Sequence, residues 1–523
     1  MPTARLELRP LGRTLHVERG SSLQDALFDA GVEFPCGGHA RCRGCRVRLV
    51  AGSLPISPEE HRLLSHAELE AGWRLACRAR ADSDLTLELA AWEPTILGDA
   101  APLAVPHRDG LGIAVDLGTT TIVAQLVDLR TREVLNVRTA LNAQSKHGAD
   151  IMSRIEFATT GHGGERLTHL IRAQLGEMLT DLLSPAASAA PRANIAGITV
   201  VGNTVMHHLF AGLDVAPLAA VPFEPRDTHT QTFPASALGW QIPGDPLVRF
   251  LPCLGGFVGS DILAGILATG LHDSPQLGAL VDLGTNGEIV VGNRDRLLCT
   301  STAAGPAFEG ARLSQGMRAD RGAIAGVTIV EGRPHCRVLG GDPARGICGS
   351  GIVDAVATGL DLGVIGPTGR LTSGREWELA PGIHIRQSDI RELQLAKGAV
   401  AAGLRLLLET WGATAQDLRH LHLAGAFGNY VDRASAHRIG LLPLPAERTS
   451  PAGNTALHGA KLALFETRDP EVAYASLRAR VRHVSLGDDP RFGEIFAEEM
   501  LFPEELRLAP ACRSEVSCTA KST

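Results

Sequence analysis

The run Gly112-Ile-Ala-Val-Asp-Leu-Gly-Thr-Thr-Thr-Ile-Val-Ala-Gln-Leu-Val-Asp128 constrains this chain more than any other stretch, because its first half returns later. Gly278, Val281, Asp282, Leu283, Gly284 and Thr285 repeat Gly112, Val115, Asp116, Leu117, Gly118 and Thr119 in the same order. In each copy an apolar run ends in Asp, turns on a Gly, offers hydroxyl or amide groups and enters a second apolar run. That is the pattern of a β-hairpin. Backbone N–H groups bared at the Gly, hydroxyls beside them and an Asp at the strand end form a cradle for a phosphate with its divalent cation. Two facing cradles predict a nucleotide clamped between two related halves.

The 523 residues suffice for several domains, and 44% hydrophobic with 20% charged residues is an ordinary globular balance. The formal charge of −7 and the lack of a basic stripe argue against a nucleic-acid partner. No G-x4-G-K-[ST] segment occurs, which excludes a P-loop NTPase. The amino-terminal segment has no apolar core of a signal peptide, so a cytoplasmic protein is expected. Phe250–Leu271 is the one candidate membrane span. Its glycines, Pro252 and mid-run Asp261 predict a buried loop and helix instead, hence no membrane.

Residues 1–92 read as a separate module. Hairpin strands flank Pro10–Arg13, a helix starts near Ser22 and Asp25 and stops at Gly31, a strand follows Cys45, and Ser57-Pro-Glu-Glu60 opens another helix. Leu85, Leu87 and Leu89 alternate in a closing strand, giving a mixed sheet packed on a helix. Cys36, Cys42 and Cys45 are spaced C-x5-C-x2-C, and Cys77 follows on a distant segment. Three thiolates from one glycine-bearing loop and one from elsewhere suit a 2Fe-2S cluster. A four-cysteine zinc site is the alternative, although such sites usually draw on two short knuckles. The order of elements resembles the plant-type and adrenodoxin-type ferredoxins, a β-grasp fold. His39 lies in the loop, and Arg41, Arg43, Arg46 and Arg48 surround it, either compensating an anionic cluster or docking an acidic partner.

Residues 93–110, with three prolines and no periodicity, read as a linker that lets the module move. The polar Asn142–Asp150 stretch is either a ligand contact or a surface loop before a helix at Ile151–Ala158. Gly202-Asn203-Thr204 marks a strand-to-helix junction that points polar groups into a cleft. His207 and His208 read as packing residues. Gly346–Gly351 precedes a helix expected at Ile352–Ala357, and His422–Asn429 reads as a strand broken by Gly425 and Gly428. Gly453–Leu464 predicts a helix whose small side suits a close crossing. The tail 510–523 is expected to be disordered, with Cys512 and Cys518 too few for a second cluster.

In order, Asp116-Leu-Gly-Thr-Thr, Asp282-Leu-Gly-Thr-Asn and Ala424-Gly-Ala-Phe-Gly resemble the phosphate-1, phosphate-2 and adenosine motifs of the acetate and sugar kinase, actin and chaperone ATPase superfamily. The resemblance implies an α/β multidomain chain: a ferredoxin-like module, then a two-lobed actin-like ATPase with lobe I at 111–276, lobe II at 277–470 and a helical segment at 471–509. It also implies that Asp116 and Asp282 orient Mg through waters and that Thr119, Thr120, Thr285 and Asn286, with Gly118 and Gly284, hold the phosphates of ATP. Gly425 and Gly428 would line the adenosine, and Asp282 or Glu288 would position the attacking water.

Together with the cysteine module and with Gly202-Asn-Thr, Ala304-Gly-Pro-Ala-Phe-Glu-Gly and Gly346-Ile-Cys-Gly-Ser-Gly, the chain is similar to the reductive activators of corrinoid-dependent enzymes. That implies one-electron return of cobalt(II) to cobalt(I) on a partner corrinoid protein or methyltransferase, with electrons from an upstream reductase or ferredoxin. A small-molecule kinase carrying a redox sensor and a non-enzymatic electron carrier are the competing readings.

Overall fold

The computed structural model describes residues 3–9, 13–28, 32, 40, 45–89, 103, 105–184, 195–284, 286–341 and 343–504. The first module is a five-stranded sheet in the order Arg13–Glu18, Thr3–Arg9, Leu85–Leu89, Arg46–Ala51, Trp73–Leu75. Alternation along Thr3–Arg9 turns Ala4, Leu6 and Leu8 inward, where Leu23 and Leu27 of the helix Leu23–Phe28 cover them. The helix expected to open at Ser57 is present as Pro58–Leu63, and Ser57 caps it in a reciprocal capping box, with Glu60 reaching back to the Ser57 N–H at 2.7 Å. The same Glu60 accepts the Leu75 N–H at 2.6 Å, which ties this helix to the strand leading to Cys77. The expected helix stop at Gly31 lies outside the described residues.

The internal repeat is structural. One six-stranded sheet runs Gln231–Pro234, Leu247–Phe250, Ile195–Val201, Leu111–Leu117, Thr121–Asp128, Val134–Leu141. The other runs Thr449–Gly453, His420–Ala424, Gly278–Leu283, Gly287–Gly292, Leu297–Thr302, Val481–His483. Each centres on an antiparallel hairpin carrying a cradle, and each hairpin's first strand pairs in parallel with a later strand. Parallel pairing next to an aspartate-tipped strand end puts the turns of both hairpins at the carboxyl edge of their sheets, where α/β proteins place ligands.

A core shared by both lobes holds them together. Ala114 and Val123 of the first sheet, Leu280 and Val290 of the second, and Ile262 and Leu457 from two crossing helices belong to one buried cluster. The helices, Ser260–Thr269 and Thr455–Ala463, meet through small residues: a Cβ on Gly459 would stand 2.1 Å from the Ala264 carbonyl oxygen. Phe250–Leu271 therefore splits into a strand end, a loop and one of these helices, and among the described residues no helix is long and apolar enough to cross a membrane.

Four expectations need adjustment. The strand at 420 ends at Ala424, and Gly425, with φ +85°, turns the chain into the short helix Gly425–Tyr430. The helix expected at Ile352 begins at Gly349, because Gly349 and Gly351 lie inside it, where a Cβ would stand 1.7 Å from the Phe308 oxygen and 2.0 Å from the Ile324 oxygen. The carboxy-terminal segment is not wholly helical, since Val481–His483 pairs with Leu297–Cys299 as the sheet's edge. The linker's end is anchored: Leu103 is buried in the shared core, and Arg108 donates to the Leu464 carbonyl at 2.8 Å. The tail 510–523, with Cys512 and Cys518, lies outside the described residues.

Because Gly459 abuts backbone rather than a movable side chain, Gly459→Ala is expected to lower stability by roughly 1–3 kcal/mol through overpacking. Thermal unfolding followed by circular dichroism checks this, and an unchanged midpoint would show that the crossing relaxes freely.

Candidate functional site

The two cradles face one cleft of about 320 Å³ between the lobes. In the first, the Gly118 N–H closes on the Thr121 carbonyl at 3.0 Å, and a Cβ at Gly118 would stand 2.6 Å from that oxygen. The turn is buttressed from below. Asn142 donates its backbone N–H to the Thr120 carbonyl at 2.8 Å and its side-chain amide to the Gly118 carbonyl at 2.9 Å. Buried Arg154 donates to the Thr119 and Gly148 carbonyls, and Asn203 donates to the Thr119 hydroxyl at 2.8 Å. The Asn142–Asp150 stretch is thus more than a plain surface loop: its first residues are the cradle's foundation. The second cradle also closes on its Gly N–H but turns one residue sooner, Gly284 N–H donating to the Asn286 carbonyl at 3.0 Å.

The cleft concentrates carboxyl groups: Asp116, Asp261, Asp282 and Glu288 all line it. Desolvation pushes Asp116 up to about 6, opposed by an amide hydrogen bond from Asn454 at 2.9 Å. Asp282 is pushed up to about 7, by desolvation first and by the Asp116 charge second. Burial raises Asp261 and Glu288 as well, with Asp282 among the charges that add to it in both cases. Like charges in a poorly hydrated space disfavour one another's ionised forms. Such a set is chemically suited to a divalent cation, which replaces protons by one compact positive charge.

Lobe II supplies the other wall. Phe308 and Phe427 stack with ring centroids 4.6 Å apart, and Tyr430 lies beside them. Gly349 and Ser350, the first residues of the helix Gly349–Asp361, face the same space. Gly425 touches the second cradle: its Cβ would stand 2.6 Å from the Asp282 carboxylate. Arg318 also lines the cleft, with burial lowering its pKa to about 10.

Asp116, Asp282, Glu288, Gly118, Thr119, Thr120, Gly284, Asn286 and Gly425 all come together at this cleft. Thr285 lies outside the described residues. Gly428 is not among the lining residues; it packs against Leu423, where its Cβ would stand 3.0 Å away. Sequence reasoning missed Asp261, Asn454, Arg318 and the Phe308–Phe427 pair. Of these only Asp261 left a signal, a carboxylate in an otherwise apolar run. His207 and His208 are buried, His207 bonding the His229 carbonyl at 3.0 Å and held down at about 4, His208 bonding Thr204.

At the far end of the chain, the Ala76 N–H donates to the Cys45 carbonyl at 2.9 Å, so Cys45 and Cys77, both buried, meet at one end of the first module's sheet. That convergence fits a group held by four thiolates. Cys36, Cys42, His39, Arg41 and Arg43 lie outside the described residues. Arg46 pairs with Glu68 at 3.1 Å and Arg48 with Glu88, so these two arginines are bonded within the module.

Three family descriptions match successive parts of the chain: a 2Fe-2S iron-sulfur cluster binding domain over residues 6–82, the RACo middle region over 111–274, and the C-terminal domain of RACo, the ASKHA domain, over 276–513. RamQ, a corrinoid activation enzyme of Eubacterium limosum, is 35% identical over 442 residues, covering 78% of this chain and 73% of that protein. A Co(II) methylated amine-specific corrinoid protein reductase of Methanosarcina barkeri is 31% identical over 419 residues, 75% of this chain and 77% of that protein. The solved structure of a reductive activator for corrinoid, iron-sulfur protein matches with TM-score 0.65 and 26% identity, covering 96% of this chain and 98% of that one.

A carboxyl raised by folding stabilises the folded protein only while protonated. Below about pH 4 both states hold the proton, and as pH rises toward 7 the unfolded chain releases it first. Asp282, raised from 3.8 to about 7, therefore makes the nucleotide-free protein lose stability across pH 4–7. Asp282→Asn is expected to escape that loss, so chemical denaturation in this window should show the variant gaining on the parent, by on the order of 1–3 kcal/mol. A difference independent of pH would refute the assignment.

Gly425 cannot carry a side chain without moving Asp282. Gly425→Ala is expected to weaken nucleotide binding about tenfold or more while Gly453→Ala, whose Cβ meets nothing within 4 Å, serves as the control for positive φ alone. Calorimetric titration reads the difference.

Proposed function

This chain belongs to the RACo family of corrinoid-activating proteins, and on that premise we propose that it is an ATP-dependent reductive activase that returns a cobalt(II) corrinoid protein or methyltransferase to cobalt(I) by one-electron transfer from its 2Fe-2S cluster. The observation that carries the proposal is the union in one chain of a cysteine-bearing module, in which Cys45 and Cys77 converge, with a two-lobed cleft lined by Asp116, Asp261, Asp282 and Glu288. When bound, a plant-type 2Fe-2S centre supplies single electrons at roughly −400 mV. For one electron, each further 59 mV uphill costs about a factor of ten, so a strongly reducing product calls for a coupled energy source.

The residues suggest how that source is engaged. Cys36, Cys42, Cys45 and Cys77 would hold the cluster. Gly118, Thr119 and Thr120 on one side and Gly284, Thr285 and Asn286 on the other would hold the phosphates of ATP, with Asp116 and Asp282 toward Mg. Gly425 and the Phe308–Phe427 wall would admit the adenosine. Glu288, whose burial and neighbours favour its protonated form while its Ser301 bond opposes that, would be suited to exchange a proton with an attacking water. Closing two lobes on a nucleotide does mechanical work on whatever they grip, here a partner whose cobalt must become easier to reduce. The cobalt travels on that partner, and an upstream reductase or ferredoxin would recharge the module.

With a cobalt(II) corrinoid protein, reductant and Mg-ATP, the cluster-replete protein is expected to generate the cobalt(I) spectrum, and its slow ATPase is expected to rise when the corrinoid protein is added. Asp116→Ala and Asp282→Ala should each cut both activities roughly 100-fold, whereas Cys77→Ser should abolish reduction and leave the ATPase. Phosphoryl transfer to a small acceptor that survives loss of all four cysteines would overturn the proposal in favour of a kinase.

A further inference from the structure

The cysteine module touches both lobes, and it does so through two aromatic rings at its cluster-bearing end. Phe28, where the helix before the Cys36 loop ends, lies under the Lys146 ammonium at 5.1 Å. Trp73, on the strand that leads to Cys77, lies under the Arg345 guanidinium at 5.5 Å, with the module's own Arg46 at 5.7 Å. Leu141 of the first lobe also packs into the module's core.

Neither cation is remote from the cleft. Lys146 ends the short helical turn Ala143–Lys146, whose cap is Asn142, the residue that bonds the Gly118 and Thr120 carbonyls of the first cradle. Gln144 in that turn also meets Arg154, which bonds the Thr119 carbonyl. On the other lobe the Arg345 N–H bonds the Gly322 carbonyl at 2.8 Å, and the residues on either side of this pair, Arg318–Asp320 and Cys348–Ser350, line the cleft. Each attachment point is thus rooted in one wall of the nucleotide cleft.

We propose that Lys146 and Arg345 are positioning residues that dock the cysteine module across the mouth of the clamp, so that nucleotide binding and module docking favour each other. The module is a five-stranded sheet in which Glu60 ties the helix Pro58–Leu63 to the strand Trp73–Leu75, and it meets both cations at the lobe spacing of this structure. That spacing is the one at which Asp116 and Asp282 face a shared cleft. A nucleotide gripped by both cradles holds the lobes at the same spacing and therefore holds the module in place; its loss lets the lobes part and one ring contact fail. The inference rests on the reading of the cleft as a nucleotide site. Each exposed cation–ring contact contributes roughly a two- to five-fold factor, and by linkage the factor by which nucleotide favours docking equals the factor by which docking favours nucleotide.

Hydrogen exchange of the full, cluster-loaded chain tests this, with a non-hydrolysable Mg-ATP analogue as the probe and its affinity measured by calorimetry on the same samples. In the parent the analogue is expected to slow exchange at residues 23–28 and 73–77 several-fold, leaving the strands 3–9 and 85–89 unchanged. In the Lys146→Gln, Arg345→Gln double variant those segments should exchange faster and ignore the analogue, and the analogue should bind about five-fold more weakly. The Lys146→Arg, Arg345→Lys pair should restore both. Analogue binding to the parent without any response at 23–28 or 73–77, or a response that survives in the glutamine variant, would overturn the inference alone. A parent that binds no analogue would overturn it together with the nucleotide reading.

Discussion

Asp116, Asp261, Asp282 and Glu288 sunk in one narrow cleft cannot all be charged without a cation between them. The fold must therefore hold this arrangement against its own electrostatics, and much of the surrounding architecture does so. Hydrophobic burial along both strands offsets the cost, with Leu280, Val281 and Leu283 near Asp282 and Val115 and Leu117 flanking Asp116, of which Leu280 lies in the shared core and the others in the cores of the separate lobes. The tight contact of Gly459 with Ala264 leaves the crossing helices little room to slide. Asn454, on the residue capping one of those helices, bonds Asp116 directly, so the hinge and the cleft share a side chain. Removing the acid groups is expected to relax the protein; keeping them suits the cleft to the cation and phosphates that we propose it holds.

The two halves repeat each other in strand order but not in how the cradles are supported. The first rests on a polar network of Asn142, Arg154 and Asn203 that spends buried hydrogen bonds on three successive loop residues. Such a network fixes geometry well because each unmet partner would carry a desolvation penalty. The second rests on close backbone approaches at Gly349 and Gly425 and on the stacked Phe308–Phe427 pair. One wall is thus suited to anchoring a polar group and the other to presenting a flat apolar surface. A nucleotide, the ligand proposed for this cleft, has both faces, which accords with the asymmetry of its two walls.

Much of this was legible in the sequence because it is local. Hairpin alternation, the Gly turn at 118, the C-x5-C-x2-C spacing and the helix start at Ser57 all act over a few residues. Glycine's ambiguity explains two misreadings. At Gly425 it permits a left-handed turn that ends a strand, and at Gly349 and Gly351 it permits close packing inside a helix, yet the letter is the same. Gly428 illustrates the converse, a motif glycine whose role in this fold is contact with Leu423. Asn454 and Arg318 had no local signature, and although Phe308 and Phe427 each stand in a motif string, nothing local pairs them, since what brings these groups together is the crossing of elements far apart in the chain. The edge strand Val481–His483 is short and basic, and only its partner Leu297–Cys299 makes it a strand.

Among the described residues, the contacts that join the cysteine module to the lobes include two cation–ring pairs and the packed Leu141. The strand Leu85–Leu89 ends the module's sheet, and Leu103 is already buried in the core between the lobes. The chain between them can reach at most about 50 Å when fully extended. That length bounds how far the module can stand from the lobes. Within that bound, contacts of a few-fold each are enough to bias the docked position that we propose. On that reading, much stronger contacts would oppose delivery to a partner, whereas weak ones rooted in the loops around the cleft would leave docking responsive to what the cleft holds.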